Sequence, residues 1–323
     1  MSGNPKWWPY RIPIDTAFRK AGVVVVGLIV GANVVSHYYY PLKDPPRPPP
    51  SDTPFRRAFK YYKARAPPPS LSHVLDPSSL PPSPYGLSSA IVDDLSSLGL
   101  RPPEEWRVVE LEGRPGLYIL PDMLRAEGHE EWLSRCLRYP HSPHNTNIAL
   151  HSNVPFDLMG KTSSLRWATL GVQYDWDTKE YPPTGPPLPP ELASLANVVC
   201  SYLCLGRMEA DAAIVNYYPQ KTKRTSAPLV SLSLGRPCIY LTGGPSLHDP
   251  VLPLLLQSGD VLVLHGQQRL VYHAVASILR PGEIETPFDR QPIRGREDSP
   301  WRQRLLLYGR TSRVNVTIRQ VNP

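Results

Sequence analysis

Residues 313–321 read RVNVTIRQV, and the fold follows from how that run alternates. Arg313, Asn315, Thr317 and Arg319 share one face of a strand, while Val314, Val316 and Ile318 share the other. An apolar strand face needs a second layer to cover it. Two arginines on the inner face of a small barrel are costly to bury unless they meet anions; the same alternation also allows that face to lie in water. Upstream, short apolar runs bounded by Gly, Pro and Asp recur at Ala212–Tyr218, Leu229–Leu234, Cys238–Leu241, Val261–Leu264, Leu270–Val275 and Arg304–Tyr308. Their lengths suit strands, and no helix of crossover length separates them, so an antiparallel barrel or jelly roll is predicted. Gly116–Leu120 reads as a further short strand and Asp122–Leu137 as a helix with Asp122 at its N-cap. Leu192–Leu205 reads as an apolar helix, and no internal repeat is visible. The expected fold class is mainly β with flanking helices.

The chain has 323 residues with 41 prolines and 21 glycines, which excludes an all-helical bundle, and the prolines follow no collagen-like triplet. Its net charge is +7, but residues 1–70 hold 11 Lys/Arg against 3 Asp/Glu, while the remaining 253 hold 24 against 25. The basic character therefore belongs to the N-terminal arm, and composition gives no argument that the large domain binds nucleic acid. Cys136, Cys200, Cys204 and Cys238 are too few for a disulfide framework, and they read as packing residues of a reducing compartment.

From Ala21 to Leu42 no residue carries a fixed charge. As a helix, Phe18–Tyr40 would span about 34 Å, enough for a bilayer core of about 30 Å. Trp7, Trp8 and Tyr10 on one side and Tyr38–Tyr40 on the other suit two membrane interfaces. His37 and Tyr38–Tyr40, bulky residues directly after the apolar run, favour a retained anchor over a cleaved signal peptide. Gly27 and Gly31 form a small-residue face for a partner helix. Residues 41–103 hold 16 of the prolines and read as an extended arm. The predicted division is thus a tail at 1–17, a transmembrane helix at 18–40, the arm at 41–103 and a β-rich domain at 104–323.

Five ordered stretches then carry a resemblance: LRWATLGVQYDW at 165–176, IVNYY at 214–218, PLVSLSLGRPCIYLTGG at 228–244, SGDVLVLHGQQRLVYHAV at 258–275 and RVNVTIRQV itself. Together they resemble the AlkB-type iron- and 2-oxoglutarate-dependent dioxygenases, closest to the branch of the first animal AlkB homologue. The resemblance covers residues 115–321 and implies a double-stranded β-helix. It implies that Asn216 and Tyr218 are the co-substrate-contacting Asn-x-Tyr, that Arg313 and Arg319 hold the carboxylates of 2-oxoglutarate, and that His273 is the distal iron ligand. The family also places a His-x-Asp pair between the Asn-x-Tyr strand and the Pro-Leu strand. Here that connection is PQKTKRTSA, Pro219–Ala227, which contains no His, Asp, Glu or Cys. A facial triad of two histidines and one carboxylate cannot be built from one histidine. The remaining His–acid pairs, His129–Glu131 and His248–Asp249, lie elsewhere in the pattern, and His265 reads as a core or pocket histidine.

These observations lead to the expectation of a catalytically inactive AlkB-like protein, a membrane-anchored accessory subunit of a multi-subunit complex. The anchor, with an AlkB relative found in mitochondria, points to the mitochondrial inner membrane and a respiratory-chain assembly, with the large domain on the matrix side. The expected partners are the membrane through 18–40 and other subunits through Gly27, Gly31 and the arm, with nucleic acid not among them. No cofactor is expected, beyond 2-oxoglutarate or another dianion bound without iron in the pocket of Asn216, Tyr218, Arg313 and Arg319. The competing expectation is an iron- and 2-oxoglutarate-dependent nucleic-acid demethylase whose metal ligands are rearranged or lie on a segment missing from this sequence.

Overall fold

Strand β11, Arg313–Arg319, lies at the centre of the large sheet, as its alternation requires. A computed structural model describes residues 52–83, 95–141, 145–147, 159, 165–175, 180–218, 229–295 and 298–322, and Thr53–Pro323 forms one unit. Eight antiparallel strands make the large sheet in the order β1-β2-β9-β6-β11-β5-β4-β3. They are β1 Val109–Glu110, β2 Leu117–Leu120, β3 Asn145–Thr146, β4 Trp167–Gly171, β5 Ala212–Tyr218, β6 Leu229–Gly235, β9 Val261–Leu264 and β11. A second sheet, β10-β7-β8, comprises His273–Ile278, Cys238–Thr242 and Leu252–Leu256. The two sheets are the jelly-roll arrangement expected.

Val314, Val316 and Ile318 pack under helices, in a core with Trp132, Leu133 and Cys136 of α2 (Ala126–Arg138) and Leu195 and Val199 of α3 (Pro190–Tyr202). Tyr217 of β5 belongs to that layer, and its hydroxyl donates to the Cys136 carbonyl at 2.6 Å. The alternate residues of β5 and β11 face the other sheet. Cys136, Cys200 and Cys238 are buried free thiols; Cys204 is exposed.

Four local readings differ. Arg304–Tyr308 is not a strand but part of helix α4, Pro300–Thr311. Ser299 caps that helix by accepting from the Arg302 amide, Pro300 starts it, and Leu305, Leu306 and Tyr308 form its buried stripe. Asp122 is not an N-cap: α2 begins at Ala126, and Asp122 sits at φ 50° with its amide donating to Asp260 Oδ1 at 3.1 Å. Leu252–Leu256 is a strand despite Pro253, as an edge strand permits. Its outer side is covered by Leu75, whose amide donates to the Pro253 carbonyl at 2.9 Å and whose carbonyl accepts from Leu255 at 2.8 Å.

The fourth difference lies in the proline-rich arm. Pro54–Lys63 forms helix α1 rather than extended chain. Thr53 caps it, Pro54 occupies the first turn where no amide bond is needed, and no further proline occurs until Pro67. Phe55 and Tyr62 are buried against Ile239 and Leu241 of β7 and Ala276 of β10. Among the described residues no helix is long and apolar enough to cross a membrane. The predicted transmembrane helix at 18–40, with Gly27 and Gly31, lies outside the described residues.

Candidate functional site

The register of β11 with its neighbours builds one polar surface between the sheets. On one side Arg313 stands opposite Tyr218 and Asn315 opposite Asn216; on the other Asn315 faces Ser233 and Thr317 faces Ser231. These groups, apart from Ser233, line a cleft with Arg319, and the second sheet supplies its far wall through Tyr240, Leu256 and His273. The four residues predicted for co-substrate, Asn216, Tyr218, Arg313 and Arg319, thus share one cleft with His273. Sequence reasoning passed over Ser231, Ser233 and Tyr240, although the alternation of Leu229–Leu234 puts both serines on one face. It also passed over Phe59 of α1, which reaches the same cleft from the arm.

Burial gives the arginines their meaning. Arg313 is 1% exposed and Arg319 is 4% exposed. Arg313 donates from Nη2 to Ser233 Oγ at 2.8 Å and from Nη1 to the Arg236 carbonyl at 3.4 Å. Arg319 donates from Nη1 to the Tyr181 hydroxyl at 2.7 Å. Among the described residues neither meets a carboxylate, and the Nε of each is buried without a partner. Arg236 shows what a structural buried arginine looks like in the same fold. It pairs with Asp289 at 3.2 Å and donates to the carbonyls of Leu279 and Arg280. A buried guanidinium without a counter-charge is strongly unfavourable, and the chemistry of Arg313 and Arg319 suits an anion with two negative ends.

The surrounding hydroxyls suit that role. Burial pushes the Tyr218 phenol up to about 12, against the opposing pull of Arg313, so it stays protonated and can donate. Tyr240 is raised further by burial, and its hydroxyl has no partner among the described residues. Asn315 donates from Nδ2 to Ser231 Oγ at 2.7 Å and accepts from Thr317 Oγ1 at 3.1 Å, which fixes the floor between the arginines. The dicarboxylate of 2-oxoglutarate fits this arrangement.

A metal site does not assemble from the described residues. His273 lines the cleft with Nδ1 3.0 Å from the Val271 carbonyl and its ring stacked on Tyr240 at 5.8 Å. No group of three or more His, Cys, Asp or Glu side chains able to hold a metal occurs among those residues. His129 is buried against Ser258, Asp249 accepts from the Ser246 amide in a loop, and neither lines the cleft. The connection at 219–228 lies outside the described residues. Ferrous iron therefore does not fit the described side chains, whereas 2-oxoglutarate does.

Residues 116–319 match the 2OG-Fe(II) oxygenase superfamily. The chain is 28% identical to the nucleic acid dioxygenase ALKBH1 of Mus musculus over 339 residues, covering 84% of this chain and 85% of the relative. It is 32% identical to the tRNA demethylase abh1 of Schizosaccharomyces pombe over 269 residues, covering 70% of this chain and 85% of that one. A solved structure of OsALKBH1 superposes with a TM-score of 0.45 at 20% identity, covering 66% of this chain and 99% of that one.

These relatives correct the functional expectation drawn from the sequence. An inactive accessory subunit without cofactors gives way to a family defined by iron and 2-oxoglutarate, with relatives named as dioxygenases and demethylases. Nucleic acid, set aside on the neutral charge of residues 71–323, is what those relatives act on by name. The inner-membrane and respiratory-chain assignment finds no support in relatives that are nucleic-acid enzymes. The inactivity follows from a missing motif, the exclusion of nucleic acid from a charge total and the membrane assignment from the apolar run at 21–36, and none of these describes the cleft itself. A buried arginine pair says more about chemistry than net charge, because a local site needs only its own charges. The chain belongs to the AlkB-type 2OG-Fe(II) oxygenase superfamily.

Proposed function

We propose that this chain is an oxidative demethylase of nucleic acid that uses 2-oxoglutarate as co-substrate. The observation that supports it most directly is the pair of buried arginines, Arg313 and Arg319, facing a cleft without a carboxylate of their own. In this reading Arg319 and Arg313 receive the two carboxylates, and Asn216 and Tyr218 hydrogen-bond the bound dianion. The small-sheet wall of Tyr240 and Leu256 keeps water from it. Bidentate arginine–carboxylate contacts give both energy and orientation. The reading requires a rearranged metal-ligand set, with groups beyond His273 supplied from elsewhere in the chain. The substrate class, a methylated DNA or RNA, rests on the names of the relatives.

The test is anaerobic titration of the full chain with ferrous iron and 2-oxoglutarate, followed by turnover with methylated oligonucleotides. Succinate release coupled to loss of the methyl group supports the reading. Binding of 2-oxoglutarate with no succinate from any methylated DNA or RNA tested overturns it.

A further inference from the structure

Helix α1 joins two properties that occur together nowhere else among the described residues. Its inner face reaches the cleft, since Phe59 lines it. Around Phe59, Phe55 meets Tyr272 at 6.2 Å, one residue before His273. Its outer face is basic: Arg56, Arg57, Lys60 and Lys63, followed by Arg65, with no acidic residue in 53–65. Lys60 and Lys63 are exposed, Arg56 is half-buried, and none of these three is in an ion pair among the described residues. Residues 66–323 balance to −1. The net positive charge of the unit therefore lies in residues 53–65, on and just after the helix that reaches the cleft.

An ordinary solvated helix face carries both signs of charge, and this one does not. Two further contacts relate the charge to the cleft. Lys63 Nζ stands 5.4 Å from the centroid of Phe59, the residue that enters the cleft. Tyr61 is 49% exposed, yet its hydroxyl accepts from the Ser70 amide at 3.0 Å and its ring packs edge-on to Tyr62 at 4.9 Å. An exposed ring held in place one residue beyond Lys60 is a surface on which an unpaired base stacks while phosphates meet the neighbouring charges.

We infer that α1 is the docking surface for the backbone of a single-stranded nucleic acid, with Arg56, Lys60 and Lys63 as phosphate contacts and Tyr61 as a stacking platform. The inference rests on the nucleic-acid reading above and deepens it by naming where the strand lies. The charges position the strand and carry no sequence information, so the helix sets affinity rather than base choice.

The test uses the full chain and a fluorescent single-stranded oligonucleotide, with anisotropy read over a salt series. The variant Arg56→Gln/Lys60→Gln/Lys63→Gln keeps helix-forming residues at two exposed positions and one half-buried one. The expected result is an affinity at least ~10-fold weaker at low salt and a log–log salt slope shallower by about 2, the value for three lost contacts to a single strand. Unchanged affinity and slope overturn the inference, as does binding of phosphatidylserine vesicles without binding of the oligonucleotide. Calorimetric 2-oxoglutarate binding in the same variant should match the wild type, which separates lost charge from lost fold. If the wild type binds the strand with the expected slope yet releases no succinate, the demethylase reading fails and the docking surface stands. If turnover is intact while the variant binds as tightly as the wild type, the reverse holds.

Discussion

Arg319 donates from Nη1 to the Tyr181 hydroxyl at 2.7 Å, and Tyr181 in turn packs edge-on against Tyr174 at 5.1 Å. The guanidinium at one end of the cleft is thereby aimed by a loop that precedes α3. Tyr181 is a positioning residue in this arrangement. Tyr181→Phe removes one hydrogen bond to a charged group, about 1.5–3 kcal/mol where the partner is left buried. The expected outcome is 2-oxoglutarate binding weakened by roughly tenfold, measured by calorimetry. A merely structural role would lower Tm and leave the dissociation constant unmoved.

Arg313 tests the same site from the stability side. Its charge is buried to 1% exposure with no carboxylate beside it among the described residues. Replacing a poorly compensated buried charge by an apolar side chain of similar length is often neutral or stabilising by about 1–4 kcal/mol. Arg313→Met should therefore raise or preserve Tm without ligand, while abolishing the thermal shift that 2-oxoglutarate gives the wild type. A fall in Tm by several degrees together with a retained ligand shift would assign Arg313 to the structure instead.

How much of this was legible in the sequence depends on the range of the interactions. The alternation of 313–319 predicts which face of β11 carries Arg313, Asn315, Thr317 and Arg319, because a strand has a period of two whatever surrounds it. The bounds of Val261–Leu264 follow as directly from a continuous apolar run between a glycine turn and His265. Arg304–Tyr308 misleads because RLLLY fits a buried strand and a buried helix equally. Only Ser299 and Pro300, just upstream, decide for the helix. The place of Phe59 in the cleft could not be read at all. It depends on α1 packing against β10, which is more than 200 residues further along the chain.

Two buried groups outside the cleft make a pH prediction with opposing signs. Asp260 accepts from the amides of Gln257 and Asp122, and burial nonetheless pushes its carboxyl up to about 7. His129, 3.0 Å from Ser258 Oγ, is pushed down to about 4, first by burial and then by Arg101. The raised carboxyl contributes stability that is full below its unfolded value near 4 and is lost as pH rises through about 7. The depressed imidazole contributes stability that is present above about 6.5 and is lost as pH falls through about 4. Between those limits the two nearly cancel. Urea unfolding from pH 4.5 to 6.5 should show a flat profile for the wild type and stability that rises with pH for Asp260→Asn. A variant profile parallel to the wild type would show that Asp260 titrates normally.

Gly235 ends β6 at φ +78°, and a Cβ built there would fall 2.3 Å from the carbonyl oxygen of Ser312, the residue that leads into β11. That carbonyl already accepts from the Arg236 amide at 2.8 Å, and Gly235 pairs in register with Arg313. A side chain at 235 must therefore push backbone, not a flexible side chain, and the backbone it pushes carries the arginine of the cleft. Gly113 supplies the control, since it adopts φ +72° with nothing within 4 Å of the added atom. Gly113→Ala should cost about 1 kcal/mol, the penalty of the left-handed conformation alone. Gly235→Ala adds steric displacement to that penalty and should cost about 3 kcal/mol or more, with 2-oxoglutarate binding weakened through the shift of Arg313. Chemical denaturation of the two variants side by side checks the first expectation, and calorimetry checks the second. Equal costs for the two glycines would mean that the turn after β6 yields freely and that Arg313 is not held by it.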